Sequence, residues 1–107
     1  VFMNKTEFEE VFFERVEMCK NVLTNKSKEY SNDEDKLHNF KVAAQLQCCS
    51  PQRALGGFLA KHIVSIFDMI NSDKDIKQEV WDEKIGDALC YLFLLDAIIL
   101  ESRDLAE

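Results

Sequence analysis

The sequence predicts an all-α protein, a helical bundle of about four helices completed by oligomerisation. Three observations carry that reading. Only three Gly and one Pro occur in 107 residues, too few for a loop-rich or all-β chain. Apolar residues recur at spacings of three and four through most of the chain, the period of a helix face. Finally, 47% of the residues are hydrophobic. A chain this short buries only about two-thirds of its unfolded surface, so either its core is dense or part of that supply packs against another subunit. The length suits one domain over residues 1–107.

The first helix is expected over 6–28. Thr6 and Glu9 match a capping box, in which two end N–H groups are satisfied reciprocally. Phe8, Val11, Phe12, Val16, Cys19 and Leu23 form its apolar stripe. Residues 28–39 are polar and read as a connection, and 40–47 as a short helix. Ser50-Pro51 then starts a helix running to about Ile70, because Pro has no N–H to lose at the first helical position. Gly56 and Gly57 weaken it by roughly 1 kcal/mol each, for which a close backbone approach is one compensation. Asn71-Ser72-Asp73 is expected to end that helix and cap the next, from about Asp75 to Arg103. The stretch 88–100 is apolar almost all round, which predicts burial on most sides.

Thirteen basic against twenty acidic residues give a net charge of −7. The Lys and Arg are scattered singly among acids, so no phosphate-tracking patch forms and nucleic acid is not an expected partner. The longest apolar run is shorter than the ~20 residues of a membrane span, so no membrane partner is expected. Cys48 and Cys49 are adjacent, while Cys19 and Cys90 fall within helical patterns. With no leader pattern read at the start, four reduced thiols of a cytoplasmic protein are expected.

Glu83 and Asp87 are four apart and share a helix face, with Tyr91 one turn further on. Two carboxylates there can help to hold Mg²⁺, or form a solvated acidic turn. Lys61, Ser65 and Asp68 share a face of the preceding helix, and His62 flanks it. Lys61 can neutralise a phosphate and Asp68 can join a metal shell. His62 can be a base, a phosphate donor or a core residue. Asp96 interrupts an apolar run and calls for a water-filled cavity or a partner, such as a Lys or Arg of the first helix or of another subunit. In the connection, Lys28, Tyr30 and Asn39 can read and stack on a nucleobase, or simply make a polar link.

The stretch Trp81-Asp82-Glu83-Lys84-Ile85-Gly86-Asp87-Ala88-Leu89 resembles the signature of MazG-like all-α nucleoside triphosphate pyrophosphohydrolases. The wider pattern resembles a phage-type branch: Lys28-x-Tyr30, Asn39-Phe40, Lys61-His62-x-x-Ser65-Ile66-x-Asp68 and Tyr91. Together these cover roughly residues 26–100. The resemblance implies a helical bundle pairing into homodimers or tetramers, and Mg²⁺-dependent cleavage of a (d)NTP to the monophosphate and pyrophosphate. It implies a metal site at Asp68, Glu83 and Asp87, and catalytic roles for Lys61, His62 and Asp87. Nucleotide contacts fall to Lys28, Tyr30, Asn39, Lys61, Ser65 and Tyr91. The family's E-E-x-x-E carboxylates fall here on Lys61, His62 and Ser65, and the first acid of its E-x-x-D on Lys84. Non-catalytic nucleotide binding on the same scaffold is therefore the alternative, and a helical protein-interaction module the third reading.

Overall fold

The computed structural model describes residues 2–25 and 35–106, with the backbone alone for 25, 105 and 106. The described residues form four helices and no strand: α1 (Lys5–Asn25), α2 (His38–Leu46), α3 (Pro51–Ile70) and α4 (Gln78–Ala106). The all-α expectation holds. Among the described residues no helix is long and apolar enough to cross a membrane.

Local chemistry explains most boundaries. The Arg53 N–H donates to Ser50 Oγ at 3.2 Å, with Pro51 opening α3 behind that cap. The start of α1 differs from expectation: Asn4, not Thr6, caps it, its Oδ1 accepting from the Glu7 N–H at 2.8 Å. An amide two residues earlier takes the same role and lengthens the first turn. The start of α4 is also later than expected. Ser72 Oγ accepts from the Lys74 N–H at 3.1 Å, closing a local turn instead of a helix cap. Between α2 and α3 the chain turns through Cys48, whose φ of 55° is left-handed. The Cys49 N–H reaches back to the Ala44 carbonyl at 2.9 Å, which satisfies the helix end.

Helices α3 and α4 run antiparallel, since Phe58 meets Tyr91 and His62 meets Asp87 one turn further along α3 and one turn back along α4. α2 packs on α3, and α1 packs on α4. The core is Leu37, Leu55 and Ile98, with Phe40, Leu59, Leu94 and Leu95 closing around it. No close approach accounts for Gly56 and Gly57: nothing lies within 4 Å of a Cβ built on either one.

Polar ties fix the remaining angles. Lys41 donates to Asp35 at 2.7 Å and pairs with Glu101 at 2.8 Å, linking the start of α2 to the end of α4. Asp35 also accepts from the Leu37 N–H, so it is an anchor for the turn into α2. Its hydrogen bond to Lys41 holds the Asp35 carboxyl below its ordinary 3.8. The bonds to Asp35 and Glu101 hold Lys41 above its ordinary 10.5. A carboxyl with a lowered folded pKa stabilises above its unfolded value and loses that effect as pH falls through the folded one; a raised lysine does the reverse at the alkaline end. The wild type is therefore expected to melt higher than Lys41→Met between pH 3.8 and 10.5, the gap closing outside that window. Melting curves of both proteins across pH test this, and a gap that persists well below the window would show that the tie is not electrostatic.

Candidate functional site

The chemistry-bearing residues gather where α3 and α4 face one another beside the start of α2. Phe40 of α2, Phe58 of α3 and Tyr91 of α4 make a three-way aromatic cluster with centroids 6.2 to 6.4 Å apart. The Phe58 and Tyr91 rings are nearly parallel, at 7°. The imidazole of His62 lies against the Tyr91 ring, 5.1 Å between centroids. These positions follow from helical spacing: Phe58 and His62 are one turn apart on α3, as Asp87 and Tyr91 are on α4.

His62 is the distinctive member. Its side chain is 18% exposed, and Nδ1 sits 3.9 Å from Asp87 Oδ2. That is beyond hydrogen-bond reach. Nδ1 is buried and has no hydrogen-bond partner. A buried nitrogen without a partner costs free energy, and native proteins rarely leave one so. The half-exposed Asp87 carboxylate next to it gives the aromatic cluster a negative edge. Burial, and then Asp87, raise the pKa of the Tyr91 hydroxyl, so it remains a proton donor at neutral pH.

The structure thus brings together His62, Asp87 and Tyr91 from the sequence-derived set and adds Phe40 and Phe58. Asn39 is exposed next to Phe40 in the first turn of α2. Lys61 is exposed and Ser65 half-buried on α3. Lys28 and Tyr30 lie outside the described residues. Asp68 and Glu83 are both exposed. At 3.6 residues per turn, Asp68 sits about 120° around α3 from His62, on the flank that carries Lys61. Among the described residues no three His, Cys, Asp or Glu side chains converge to hold a metal. Asp68, Glu83 and Asp87 are therefore not gathered into one three-carboxylate group among the described residues.

One further expectation is corrected. Asp96 is exposed, not held in a buried run, and Arg15 of α1 pairs elsewhere. Arg15 Nη2 donates to Asp82 Oδ1 at 2.7 Å, and Gln78 Nε2 donates to the same oxygen at 2.8 Å. Sequence spacing gave no sign of this pair, because its partners are 67 positions apart.

All four cysteines are free. Cys19 of α1 and Cys90 of α4 are buried against each other. Burial, and then Cys19, push the Cys90 thiol up to about 12, which makes it a packing group and not a nucleophile.

Compared with protein-family models, curated proteins and solved structures, the chain matches none of them.

Proposed function

We propose that this chain binds a nucleotide at the α3–α4 face, on a scaffold of the MazG-like kind, without a resident metal. The observation that carries the reading is the unpartnered Nδ1 of His62, buried in an aromatic wall beside Asp87. In this reading the nucleobase stacks on the exposed ring of Phe58. Aromatic faces accept any base in this way. The His62 imidazole donates a hydrogen bond to an acceptor atom of the ligand, and the Tyr91 hydroxyl donates a second. Lys61, one turn along α3 from Phe58, meets the phosphates, and Asn39 and Ser65 complete the contacts among the described residues. Magnesium enters as the counter-ion of the nucleotide, and the functional unit is a homo-oligomer.

Cleavage of a (d)NTP to the monophosphate and pyrophosphate is the second reading. It is favoured by the position of Asp87, whose half-exposed carboxylate is next to His62 and one turn from Glu83. That no three carboxylates converge among the described residues weighs against it.

The test is a panel of (d)NTPs with Mg²⁺, read by thermal shift and by release of monophosphate and pyrophosphate. A nucleotide at about 100 times its Kd is expected to stabilise the chain by about 2.7 kcal/mol, with no product released. His62→Leu is expected to weaken that binding by at least about tenfold, the worth of one hydrogen bond in a buried site. Product release would establish the hydrolase. An absent shift would remove the nucleotide reading and leave a helical interaction module.

A further inference from the structure

Helix α1 presents much of its apolar stripe to water. Phe8 is 59% exposed and Phe12 51%, and Phe93 of the facing α4 is 53% exposed. Between the two helices lies an open groove of about 340 Å³, with Phe8, Val11, Phe12 and Val16 on one wall and Leu89 and Phe93 on the other. Arg15 also lines it, but Asp82 neutralises that charge at 2.7 Å. The α1 wall, from Phe8 to Cys19, runs for about three helical turns, roughly 17 Å. The groove is on the far side of α4 from the His62 cluster, since Leu89 and Phe93 each lie about 160° around that helix from Tyr91.

Carboxylates rim this apolar trough. Glu7 and Glu14 lie one turn either side of Val11 along α1, and Glu9 is one turn before Phe12. On α4, Asp96 follows Phe93 by three positions and Leu89 by seven, which puts it on the same face just past the groove. All four are exposed. Each base of α1 is already held by an acid: Lys5 by Glu9, Arg15 by Asp82 and Lys20 by Glu17. Among the described residues Glu7, Glu14 and Asp96 form no ion pair.

That combination selects an occupant. The rim repels nucleic acid and anionic membrane surfaces. A second copy at this face brings the same Glu7, Glu9 and Glu14 to the contact, so like charges meet. A compact apolar ligand leaves much of a three-turn wall in water. What covers the length of the wall and answers its rim is an elongated partner with an apolar stripe and flanking cations, the pattern of a helix laid in a groove. We infer that the α1–α4 groove docks a basic amphipathic helix of another protein. Its apolar stripe packs between Phe12 and Phe93, and Lys or Arg on its flanks pair with Glu7, Glu9, Glu14 and Asp96. The inference is independent of the nucleotide reading, and its test uses no nucleotide.

The probe is a fluorescent peptide of about four turns, with Leu at i, i+3, i+4 and i+7 and Lys elsewhere, followed by anisotropy. A second peptide has Glu in place of each Lys. The Lys peptide is expected to bind at least about tenfold tighter than the Glu peptide, and the gap to narrow between about 0.05 and 0.5 M salt. Glu7→Lys with Glu14→Lys is expected to weaken the Lys peptide about tenfold and to strengthen the Glu peptide. Phe93→Ser is expected to weaken the Lys peptide at least about tenfold, with helical circular dichroism retained. Val64→Ser, at an exposed position of α3, is expected to leave its binding unchanged. Equal affinity for the two peptides would overturn the inference. So would no binding of the Lys peptide, or loss through Val64→Ser but not through Phe93→Ser. Should Phe93→Ser fail to fold, hydrogen exchange of the wild type saturated with the Lys peptide decides. Slower exchange in 8–19 and 89–96 supports the site, and unchanged exchange there overturns it.

Discussion

Leu55→Ala is expected to destabilise the fold by about 2–5 kcal/mol and to lower the melting temperature by at least about 8 °C at fixed protein concentration. Leu55 is the one large side chain fully excluded from water among the described residues. It sits where α3 meets the Leu37 turn and Ile98 of α4, so its removal opens a hole lined by three separate segments. How far those segments relax into the hole sets where in this range the loss falls. Urea unfolding with an unchanged m-value measures the loss. A loss under about 1 kcal/mol would show that Phe40, Leu59 and Leu94 collapse into the space, and that the core is looser than its packing implies.

The second large effect is expected at Asp82. The Arg15–Asp82 contact is short, at 2.7 Å, and the two side chains are 22% and 26% exposed. Fully buried pairs cost about 3–5 kcal/mol to break from one side, and exposed pairs contribute about 0–1 kcal/mol. A pair that water still reaches falls between, so Asp82→Ala is expected to cost about 1–3 kcal/mol. Much of this is the guanidinium left beside the Phe12 wall without its counter-charge. Arg15→Met in the same chain is therefore expected to recover part of the loss, a coupling that a double-mutant cycle isolates. Hydrogen exchange should quicken along α1 and stay unchanged in α3. Equal quickening in both would mean that Asp82 supports the whole bundle and does not act as a tether for one helix.

What could be read from the sequence depended on range. The limits of α3 were legible because Ser50-Pro51 and Asn71 act within one turn. The limits of α1 and α4 were less so, since Asn4 competes with Thr6 for the same cap, and Ser72 spends its hydroxyl on a turn. Helical spacing placed Asp87 with Tyr91 on one face and His62 beside the Lys61 stripe. It could not say that α3 runs antiparallel to α4 at the register that sets His62 against Asp87, nor that Phe40 and Phe58 close the wall. Asp96 misled because a run of apolar residues implies burial only when enough neighbours exist to cover it, and one copy has too few. Arg15–Asp82 was illegible for the opposite reason: nothing local marks either residue.

Among the described residues α4 is the one helix on which α1 packs, beside a bond from Lys36 Nζ to the Leu23 carbonyl, and chain connectivity turns that into an order of events. α3 and α4 are joined by the short segment 71–77, whereas seating α1 closes a loop of 67 positions. The longer loop costs about 2 kcal/mol more entropy to close, so the nucleus forms among α2, α3 and α4, and α1 docks after the barrier. The two substitutions above should then separate in time as well as in size. Leu55→Ala slows folding, while Asp82→Ala leaves the folding rate nearly unchanged and speeds unfolding, giving chevrons displaced along opposite arms.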